Sequence, residues 1–442
     1  MRNFLINRFC MPALDWINGT ELTSYLEYLE RSQWFDLERI QEIQNEKLKR
    51  LIKYSYESVP MYRELMKASK LTPDDIKTTD DLQKLPMITK DQLKENTPNR
   101  TISDRFQLKK LIPRYTSGST GEPLKFYITR KDKIMKRAAF ARFWRWAGWD
   151  FGSKFVNIVS APNTIFQKNK FLSSLESFLL GQKFISAGGL VEPVYLHNIV
   201  KYNPQFIHGY SSAIYCLAEY AKTKGVKLKL RGILTSCETL LPRYRRSIQD
   251  VFGTKVYDEY GGEDMTFMAQ CEEAHLYHAN AENVFIELVK DGERVKPGEV
   301  GEVLITNLNR YAMPFIRYKV GDLARQAIQP CACGRGLPTY EGVEGRISDI
   351  IVTTSGQKRT VGSFVVIFEY IQEVKMFQIV QCESDRLLIK VVPEVGFDSG
   401  TEERILHGIE DIVGPEMRLE LEVKDKIETT KAGKRRICIS EI

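Results

Sequence analysis

The chain of 442 residues contains no long apolar run, only five histidines, and cysteines that are thinly spread. No segment approaches the roughly 20 apolar residues that a membrane helix requires, so we expect no stable membrane insertion. The apolar N-terminal segment is interrupted by Asn7, Arg8 and Pro12 and has no small-residue cleavage site, which argues against a signal peptide. The eight cysteines do not form a disulfide framework, so a cytoplasmic location is expected.

Charge of one sign is not concentrated anywhere along the sequence. Lys and Arg number 64 against 57 Asp and Glu, which leaves a net charge of +7. Because no basic stripe is present, nucleic acid is not an expected partner. The mild excess fits an anionic small substrate, and it fits an ordinary basic surface equally well.

The hydrophobic pattern predicts an α/β protein with two domains. A large multi-layer N-terminal domain with mixed sheets and helices is expected over residues 1–345, and a small α+β domain over residues 346–442. An amphipathic helix is predicted over residues 34–56. Strands are predicted at residues 155–159, 206–207, 232–234, 255–257, 284–289, 300–306, 376–380, 387–392 and 417–423, and a helix at 402–412.

A short segment rich in glycine and hydroxyl side chains follows Tyr115. It contains Thr116, Ser117, Gly118, Ser119, Thr120 and Gly121, with Lys125 four residues later. Backbone N–H groups and hydroxyl groups of such a loop can converge on one anion. The spacing is not that of a Walker A loop. An anion site and a flexible surface turn are equally supported by this segment alone.

Cysteine and histidine residues form a second constellation. Cys271, His278, Cys331 and Cys333 could supply the ligands of a structural, tetrahedral zinc ion, with His275 as a substitute for His278. The spacing is not a standard zinc-finger pattern, so reduced cysteines without a metal remain an equal alternative.

Several segments, taken in order, resemble those of the adenylate-forming superfamily, which includes acyl-CoA synthetases, luciferases and nonribosomal-peptide adenylation domains. Residues 115–125 resemble its phosphate loop, 260–263 its Tyr-Gly-x-x-Glu segment, and 298–306 its Gly-Glu-x-Gly-Glu strand. Residues 318–322 resemble its Tyr-Arg-x-Gly-Asp motif, 345–349 its hinge and 430–436 its C-terminal Gly-Lys motif. Residues 48–62, 236–238 and 331–335 are similar to the phenylacetate-CoA ligase branch, and within it to capsule-biosynthesis CapK-type proteins.

This resemblance implies a role for individual residues. Lys434 would be the catalytic cation, bridging a substrate carboxylate and the α-phosphate of ATP, and Glu263 would bind Mg²⁺. The remaining ATP-binding residues would be Thr116, Ser117, Gly118, Ser119, Thr120, Gly121, Lys125, Glu238, Tyr260, Gly261, Asp322 and Arg346. Ser348 and Asp349 would form the hinge of a mobile C-terminal domain, and His208, Tyr210 and Cys237 would border the acyl pocket.

Each of these residues also has a structural interpretation. The segment around Lys434 could be a solvated basic tail, Asp322 a turn residue, Tyr260 a core tyrosine and His208 a hydrogen-bonded buried histidine. Ser348 departs from the family pattern, which usually has Asp there, so the resemblance leaves two positions for the hinge, Ser348 and Asp349.

The resemblance implies ATP-dependent activation of a carboxylic acid, with release of pyrophosphate. The acyl group would then pass to coenzyme A, to a carrier-protein thiol or to an amine. A nucleotidyltransferase that adenylylates a hydroxyl or phosphate of a glycan precursor is the alternative, and a non-catalytic nucleotide-binding protein is a third hypothesis. A homodimer is left open.

Overall fold

The computed structural model describes residues 2–116, 123–159, 181–186, 193–262, 265–271, 273, 276–430 and 435–442. Its helices are α1 (Arg2–Leu5), α2 (Met11–Asn18), α3 (Leu22–Ser32), α4 (Leu37–Ser58), α5 (Pro60–Ala68), α6 (Lys90–Asn96), α7 (Arg130–Trp146), α8 (Pro193–Tyr202), α9 (Ser211–Thr223), α10 (Pro242–Phe252), α11 (Val361–Glu369) and α12 (Ser399–Val413). A π-helical turn, Ile6–Cys10, lies between α1 and α2, and 3₁₀ turns occupy Pro73–Asp75, Asp80–Lys84, Leu108–Lys110 and Ile347–Asp349. No helix in these ranges is long and apolar enough to cross a membrane.

The strands alternate with these helices. They are β1 (Ile112–Tyr115), β2 (Lys125–Ile128), β3 (Phe155–Val159), β4 (Gln182–Ser186), β5 (Phe206–Tyr210), β6 (Gly232–Ser236), β7 (Val256–Gly262), β8 (Met265–Gln270), β9 (Tyr277–Ala279), β10 (Val284–Lys290), β11 (Glu293–Arg294), β12 (Val300–Asn307), β13 (Tyr318–Gln326), β14 (Thr339–Arg346), β15 (Ile351–Val352), β16 (Lys358–Arg359), β17 (Val374–Glu383), β18 (Arg386–Pro393), β19 (Arg418–Val423) and β20 (Cys438–Ser440).

Helix α4 illustrates how local sequence specifies an element. Asp36 caps its start by accepting a hydrogen bond of 2.8 Å from the N–H of Arg39. Its apolar residues Leu48 and Leu51 are fully buried, as helical spacing predicts. The helix ends before Pro60, because the residue preceding proline disfavours helical backbone. The predicted helix over residues 34–56 is therefore confirmed.

One twelve-stranded sheet dominates the larger part of the chain, in the order β11-β10-β12-β13-β14-β9-β8-β7-β6-β5-β3-β4. Strands β4, β3, β5, β6 and β7 pair in parallel, and the others pair antiparallel. Strands formed at each position where the sequence predicted one, and the α/β fold class with mixed sheets is confirmed.

The parallel strands separate two hydrophobic clusters. Phe155, Phe206, Leu234 and Tyr257 pack with helices α3 and α7. The residues next to them in each strand, such as Ile207, pack instead with α9 and α10. This alternation follows from the two-residue period of a β-strand, and it means that both faces of this sheet are covered by helices.

The C-terminal segment forms a smaller α+β unit. Its sheet has the order β19-β18-β17-β20, in which β17 and β18 are antiparallel and β20 lies parallel to β17. Phe364, Phe368 and Phe377 of this unit share a hydrophobic cluster with Tyr244 and Ile248 of α10. The small unit therefore packs against the larger part of the chain through apolar side chains.

Candidate active site

A cavity of about 390 Å³ lies where the parallel strands end, between the larger part of the chain and the C-terminal tail. Its walls include these predicted nucleotide-site residues and one tail residue: Glu238, Tyr260, Gly261, Asp322, Arg346 and Arg435. The carboxyl ends of parallel strands are the usual position of ligand sites in open α/β sheets. Residues that are far apart in sequence thus come together in one concave region.

Asp322 is held in a fixed orientation inside this cavity. The hydroxyl of Tyr260 donates a hydrogen bond of 2.7 Å to Oδ2 of Asp322, and Nε of Arg346 lies 3.3 Å from Oδ1. Asp322 and Arg346 also face each other across strands β13 and β14. The side chain of Asp322 is only 8% exposed, so its carboxylate is a preorganised acceptor within the cavity wall.

Glu238 connects the start of a helix to the C-terminal tail. Its Oε2 accepts a hydrogen bond of 3.0 Å from the N–H of Ser212, in the first turn of α9. Its Oε1 accepts one of 2.7 Å from the backbone N–H of Arg435. The preceding residue, Cys237, has a φ of 70°, a backbone conformation that favours glycine, and it also lines the cavity.

Several predicted site residues lie outside the described part of the chain: Lys434, Glu263, Ser117, Gly118, Ser119, Thr120, Gly121 and His275. Thr116 is described, and its Oγ1 accepts a hydrogen bond of 2.9 Å from the N–H of Leu124. The N–H of Thr116 in turn donates to the carbonyl of Leu124 at 3.0 Å. Lys125 is exposed and lies 5.5 Å from the centre of the Tyr127 ring, outside the lining of the cavity.

The predicted hinge lies in the 3₁₀ turn Ile347–Asp349, directly after β14. Asp349 forms an ion pair with Arg436, and the carbonyl of Arg436 accepts a hydrogen bond of 2.8 Å from Gln378. These contacts join the turn, the tail and β17. The side chain of Ser348 lies outside the described atoms, and the choice between Ser348 and Asp349 stays a prediction.

The three residues assigned to the acyl pocket have different surroundings. Cys237 lines the cavity, whereas Tyr210 and His208 are buried in strand β5. The His208 ring lies between Asn157 and Ser236, with Nδ1 2.9 Å from Oδ1 of Asn157 and Nε2 3.1 Å from Oγ of Ser236. Burial, with the nearby charge of Lys136, lowers the pKa of His208 to about 4, so its imidazole is neutral at pH 7.

Two buried carboxyl groups in strand β7 were not predicted from the sequence. Burial raises the pKa of Asp258 to about 6 and that of Glu259 to about 8. Asp258 accepts hydrogen bonds from the hydroxyls of Thr235 and Tyr277, and Glu259 accepts one from the indole of Trp144. Their signal in the sequence is the occurrence of acidic residues at the end of an otherwise apolar strand.

The predicted metal ligands Cys271, His278, Cys331 and Cys333 come together beside strands β8 and β9. Their ligand atoms all lie within 4.8 Å of one another. Sγ of Cys271 is 3.4 Å from Sγ of Cys331, and Sγ of Cys333 is 3.4 Å from Nε2 of His278. The sulfur atoms are too far apart for a disulfide, whose S–S bond is about 2.05 Å.

The chemistry of this cluster fits zinc. A tetrahedral site with Zn–S bonds of about 2.3 Å has S···S separations of about 3.8 Å, close to the observed spacing. The group is also closed and mostly buried, as structural sites are. Strand pairing explains the convergence, because His278 in β9 faces Thr339 in β14, which follows the cysteine-containing loop.

The sequence is similar to a known family model and to several known proteins. Residues 351–441 match the family model described as the CapK C-terminal domain. The chain is 26% identical over 325 residues to phenylacetate-coenzyme A ligase of Thermus thermophilus, covering 71% of this chain and 72% of that protein. It is 24% identical over 410 residues to the protein CapK of Staphylococcus aureus, covering 91% of this chain and 89% of CapK.

Solved structures show the same fold. The structure of 2-hydroxyisobutyryl-CoA ligase in the postadenylation state, in complex with R3-HIB-AMP, has a TM-score of 0.75 at 22% identity and covers 91% of this chain and 89% of that one. The same ligase in the thioesterification state, with 2-HIB-AMP and CoA, has a TM-score of 0.60. The chain is therefore similar in sequence to phenylacetate-coenzyme A ligases and to CapK, and it has the fold of 2-hydroxyisobutyryl-CoA ligase.

Proposed function

We propose that this chain is an ATP-dependent ligase that converts a carboxylic acid to an acyl-adenylate, releases pyrophosphate and then transfers the acyl group to a thiol. The hydrogen bond between Glu238 and the backbone of Arg435 is the observation that carries this proposal. It supports a site in which the C-terminal tail completes a nucleotide cavity formed by the larger part of the chain.

The nucleotide would bind through the residues already clustered in the cavity. The carboxylate of Asp322 would accept hydrogen bonds from the ribose hydroxyls, in the orientation that Tyr260 and Arg346 maintain. A hydrogen bond to such a charged acceptor is worth about 1.5–3 kcal/mol. The ring of Tyr260 would contact the base, and its edge-to-face contact with Phe267, with centroids 5.4 Å apart, would limit its rotation.

Lys434 would supply the catalytic charge. It directly precedes Arg435, whose backbone N–H donates a hydrogen bond to Glu238 in the cavity wall. As a carboxylate attacks the α-phosphate, negative charge increases around the phosphorus. An ammonium group there would stabilise the transition state more than the ground state.

The phosphate groups and the metal ion would be held by the segment 116–121 and by Glu263. Glycine and hydroxyl residues supply hydrogen-bond donors for phosphate oxygens. Mg²⁺, when bound, would neutralise phosphate charge, and it prefers a carboxylate together with phosphate oxygens. The two hydrogen bonds between Thr116 and Leu124 support a segment whose two ends are held together.

A structural zinc ion would be held by Cys271, His278, Cys331 and Cys333. The support is the mutual distance of at most 4.8 Å between these ligand atoms. Such an ion would fix the loop between β13 and β14 to strands β8 and β9. It would contribute to stability, and no catalytic step is assigned to it.

Coenzyme A is the acceptor that we propose, with a carrier-protein thiol or an amine as alternatives. The support is the similarity to the phenylacetate-coenzyme A ligases. The structure of this chain superimposes better on 2-hydroxyisobutyryl-CoA ligase in the postadenylation state, with a TM-score of 0.75, than on the same ligase in the thioesterification state, with a TM-score of 0.60. We therefore propose that the described arrangement corresponds to the adenylation half-reaction.

The decisive experiment is acid-dependent exchange of pyrophosphate into ATP, across aromatic, fatty and amino acids. Lys434→Ala should lower the exchange rate by about 10²–10³, as removal of an oxyanion donor does. Lys426→Ala is the matched control, because Lys426 is 77% exposed and pairs only with Glu428 among the contacts described. Absence of exchange with every acid in the unmodified protein would refute the proposal.

The product distinguishes this ligase from a nucleotidyltransferase. Hydroxylamine attacks an acyl-adenylate and releases a hydroxamate, whereas an adenylylated alcohol or phosphate does not react in this way. We expect a hydroxamate from each acid that supports exchange. Turnover of ATP without a hydroxamate would favour the nucleotidyltransferase instead.

A further inference from the structure

The N-terminal helical segment, residues 2–18, has one side that is regularly exposed. It runs through α1, the π-helical turn and α2 without interruption, because the residues at the two junctions have helical backbone angles. The side chains at positions 4, 5, 8, 9, 12, 13, 16 and 17 are exposed, whereas those at 3, 6, 7, 10, 11, 14 and 15 are buried or half-buried. Exposure therefore repeats every four residues and forms one stripe along the segment.

The π-helical turn Ile6–Cys10 keeps this stripe in line. An α-helix has about 3.6 residues per turn, so side chains four positions apart drift around its axis. A π-helical turn contains more residues and makes the drift run the other way. The stripe therefore stays on one side of the segment over its whole length, which is roughly 20 Å from residue 4 to residue 17.

The large side chains of the stripe are apolar and between 46% and 86% exposed: Phe4, Leu5, Phe9, Trp16 and Ile17. At about 200 Å² for each fully exposed side chain of this size, they present roughly 600 Å² of apolar surface to solvent. The largest apolar patch of a typical monomer covers about 300–600 Å² and is often functional. The stripe therefore has the size of an interaction surface.

Polar contacts hold the opposite side of the segment against the rest of the chain. Nδ2 of Asn3 donates a hydrogen bond of 3.0 Å to Oγ of Ser153, and Nδ2 of Asn7 donates one of 2.9 Å to Oδ2 of Asp150. The apolar side chains on this side are those of Ile6, Met11 and Leu14. A surface helix normally directs its polar side chains to solvent. Here two asparagines face inward, and their hydrogen bonds keep the apolar stripe outward.

Arg8 is the only charged side chain in the stripe. Asp15, the other charged residue between positions 3 and 17, faces inward and accepts hydrogen bonds from the N–H groups of Leu22 and Thr23. The first exposed acidic residue along the described chain is Glu21, which lies beyond the end of α2. A stripe with one basic and no acidic group, on a chain of net charge +7, is complementary to an anionic apolar surface.

A lipid surface fits the stripe better than a second copy of the chain does. A stable dimer buries about 800 Å² on each partner, which is more than the apolar area of the stripe. A straight row of side chains on one helical segment matches a plane. Phe, Leu and Trp on one side of a helix, with a basic residue beside them, are also the residue types of helices that lie in the headgroup region of a bilayer.

We propose that residues 4–17 dock this protein on a membrane surface that contains anionic lipids. The segment lies parallel to the surface, with its apolar side chains between the headgroups and the acyl chains and Arg8 at the lipid phosphates. No residue of the stripe lines the proposed nucleotide cavity. The inference therefore goes beyond the proposed ligase function and does not depend on it.

Co-sedimentation of the full chain with lipid vesicles tests this proposal. The vesicles contain phosphatidylcholine alone, or equal parts of phosphatidylcholine and phosphatidylglycerol. We expect the unmodified protein to bind the anionic vesicles more strongly than the neutral ones. Trp16→Ser and Phe9→Ser should each lower the partition constant by about tenfold or more, because each removes a large apolar side chain from the contact. Arg8→Gln should lower it by about fivefold on the anionic vesicles and leave it unchanged on the neutral ones.

Tyr370→Ser is the matched control, because Tyr370 is as exposed as Trp16 but lies at the end of α11 in the C-terminal unit. It should bind vesicles like the unmodified protein. All these variants should melt at the temperature of the unmodified protein, since the substituted side chains are exposed. The fluorescence of the unmodified protein should shift to shorter wavelength on anionic vesicles as Trp16 leaves water, and this shift should be absent in Trp16→Ser.

Two results would overturn the proposal directly: no binding of the unmodified protein to anionic vesicles, or equal binding by the unmodified protein and Trp16→Ser. Self-association that rises with protein concentration, disappears in Trp16→Ser and occurs without vesicle binding would overturn it in favour of a second copy of the chain. The pyrophosphate exchange described above is measured without vesicles, so failure of either proposal leaves the other standing.

Discussion

The backbone N–H of Arg435 donates a hydrogen bond of 2.7 Å to Oε1 of Glu238, although the two residues lie 197 positions apart in sequence. The same carboxylate accepts from Ser212 at the start of α9, at 3.0 Å. One side chain thus caps a helix of the larger part of the chain and binds the C-terminal tail. Because its two oxygens serve different elements, the position of the tail depends on the position of this helix.

Glu238→Ala should impair adenylation more than stability. Loss of the cap on α9 should cost about 1 kcal/mol of unfolding free energy. The exchange rate should fall by at least tenfold, because a displacement of about 1 Å in a catalytic group can cost about 10²-fold. Asp398→Ala is the control, since Asp398 caps α12 by a hydrogen bond of 2.9 Å from Thr401 and lines no described part of the cavity. Equal exchange rates in the two variants would contradict the proposed role of Glu238.

Asp322→Asn should weaken the binding of ATP. Each hydrogen bond from a ribose hydroxyl to the carboxylate is worth about 1.5–3 kcal/mol, so KM for ATP should rise by about tenfold to a hundredfold. In the unmodified protein, KM for 2′-deoxy-ATP should exceed KM for ATP by a similar factor. In the variant, the two KM values should differ little. If the effects of the substitution and of the missing 2′-hydroxyl on the free energy of binding were fully additive, the 2′-hydroxyl and Asp322 would not interact.

Cys331→Ser should remove a bound metal ion. We expect about one zinc per chain in the unmodified protein by elemental analysis, close to none in the variant, and a lower melting temperature. Cys382→Ser is the matched control, because Cys382 lies in β17, outside the group of four ligands. A protein that contains no metal when purified in the presence of zinc would contradict the proposed site.

The stability of the protein should decrease between pH 6.5 and pH 8 because of Glu259. Burial raises the pKa of Glu259 from 4.5 to about 8, so in this range the folded protein retains a proton that the unfolded chain has lost. The free energy of unfolding therefore falls as the pH rises. Asp258, with a pKa of about 6, and His208, with one of about 4 in the folded protein against 6.5 in the unfolded chain, also titrate in part at the lower end of this window, and their contribution is common to the unmodified protein and to a variant at position 259.

The difference between Glu259→Gln and the unmodified protein isolates this effect. Melting temperatures measured from pH 6.5 to pH 8 should decline less in the variant, since it has no proton to lose at this position. If the melting temperatures of the two proteins declined equally with pH, the pKa of Glu259 in the folded protein would not be raised.

Local patterns in the sequence were sufficient to predict most secondary structure. The apolar spacing of α4 and its cap at Asp36 lie within a few residues of each other, so the helix is visible in a short window. The strands β3, β10 and β12 were predicted for the same reason. The motifs on which the proposed nucleotide site rests are also visible in the sequence, because each is a short segment with its own residue spacing.

Only the tertiary structure decided which distant residues meet. Cys271 and Cys331 lie 60 positions apart, and it is the pairing of β9 with β14 that brings their sulfur atoms within 3.4 Å. The packing of β7 in the sheet decides which of its two faces carries Glu259. Helix α7 supplies one hydrogen-bond donor there, the indole of Trp144, and Oε2 of Glu259 has no partner among the described residues. Local propensity acts over a few residues, whereas these contacts depend on the register of strands and on the position of the tail against Glu238, which no short segment of the chain specifies.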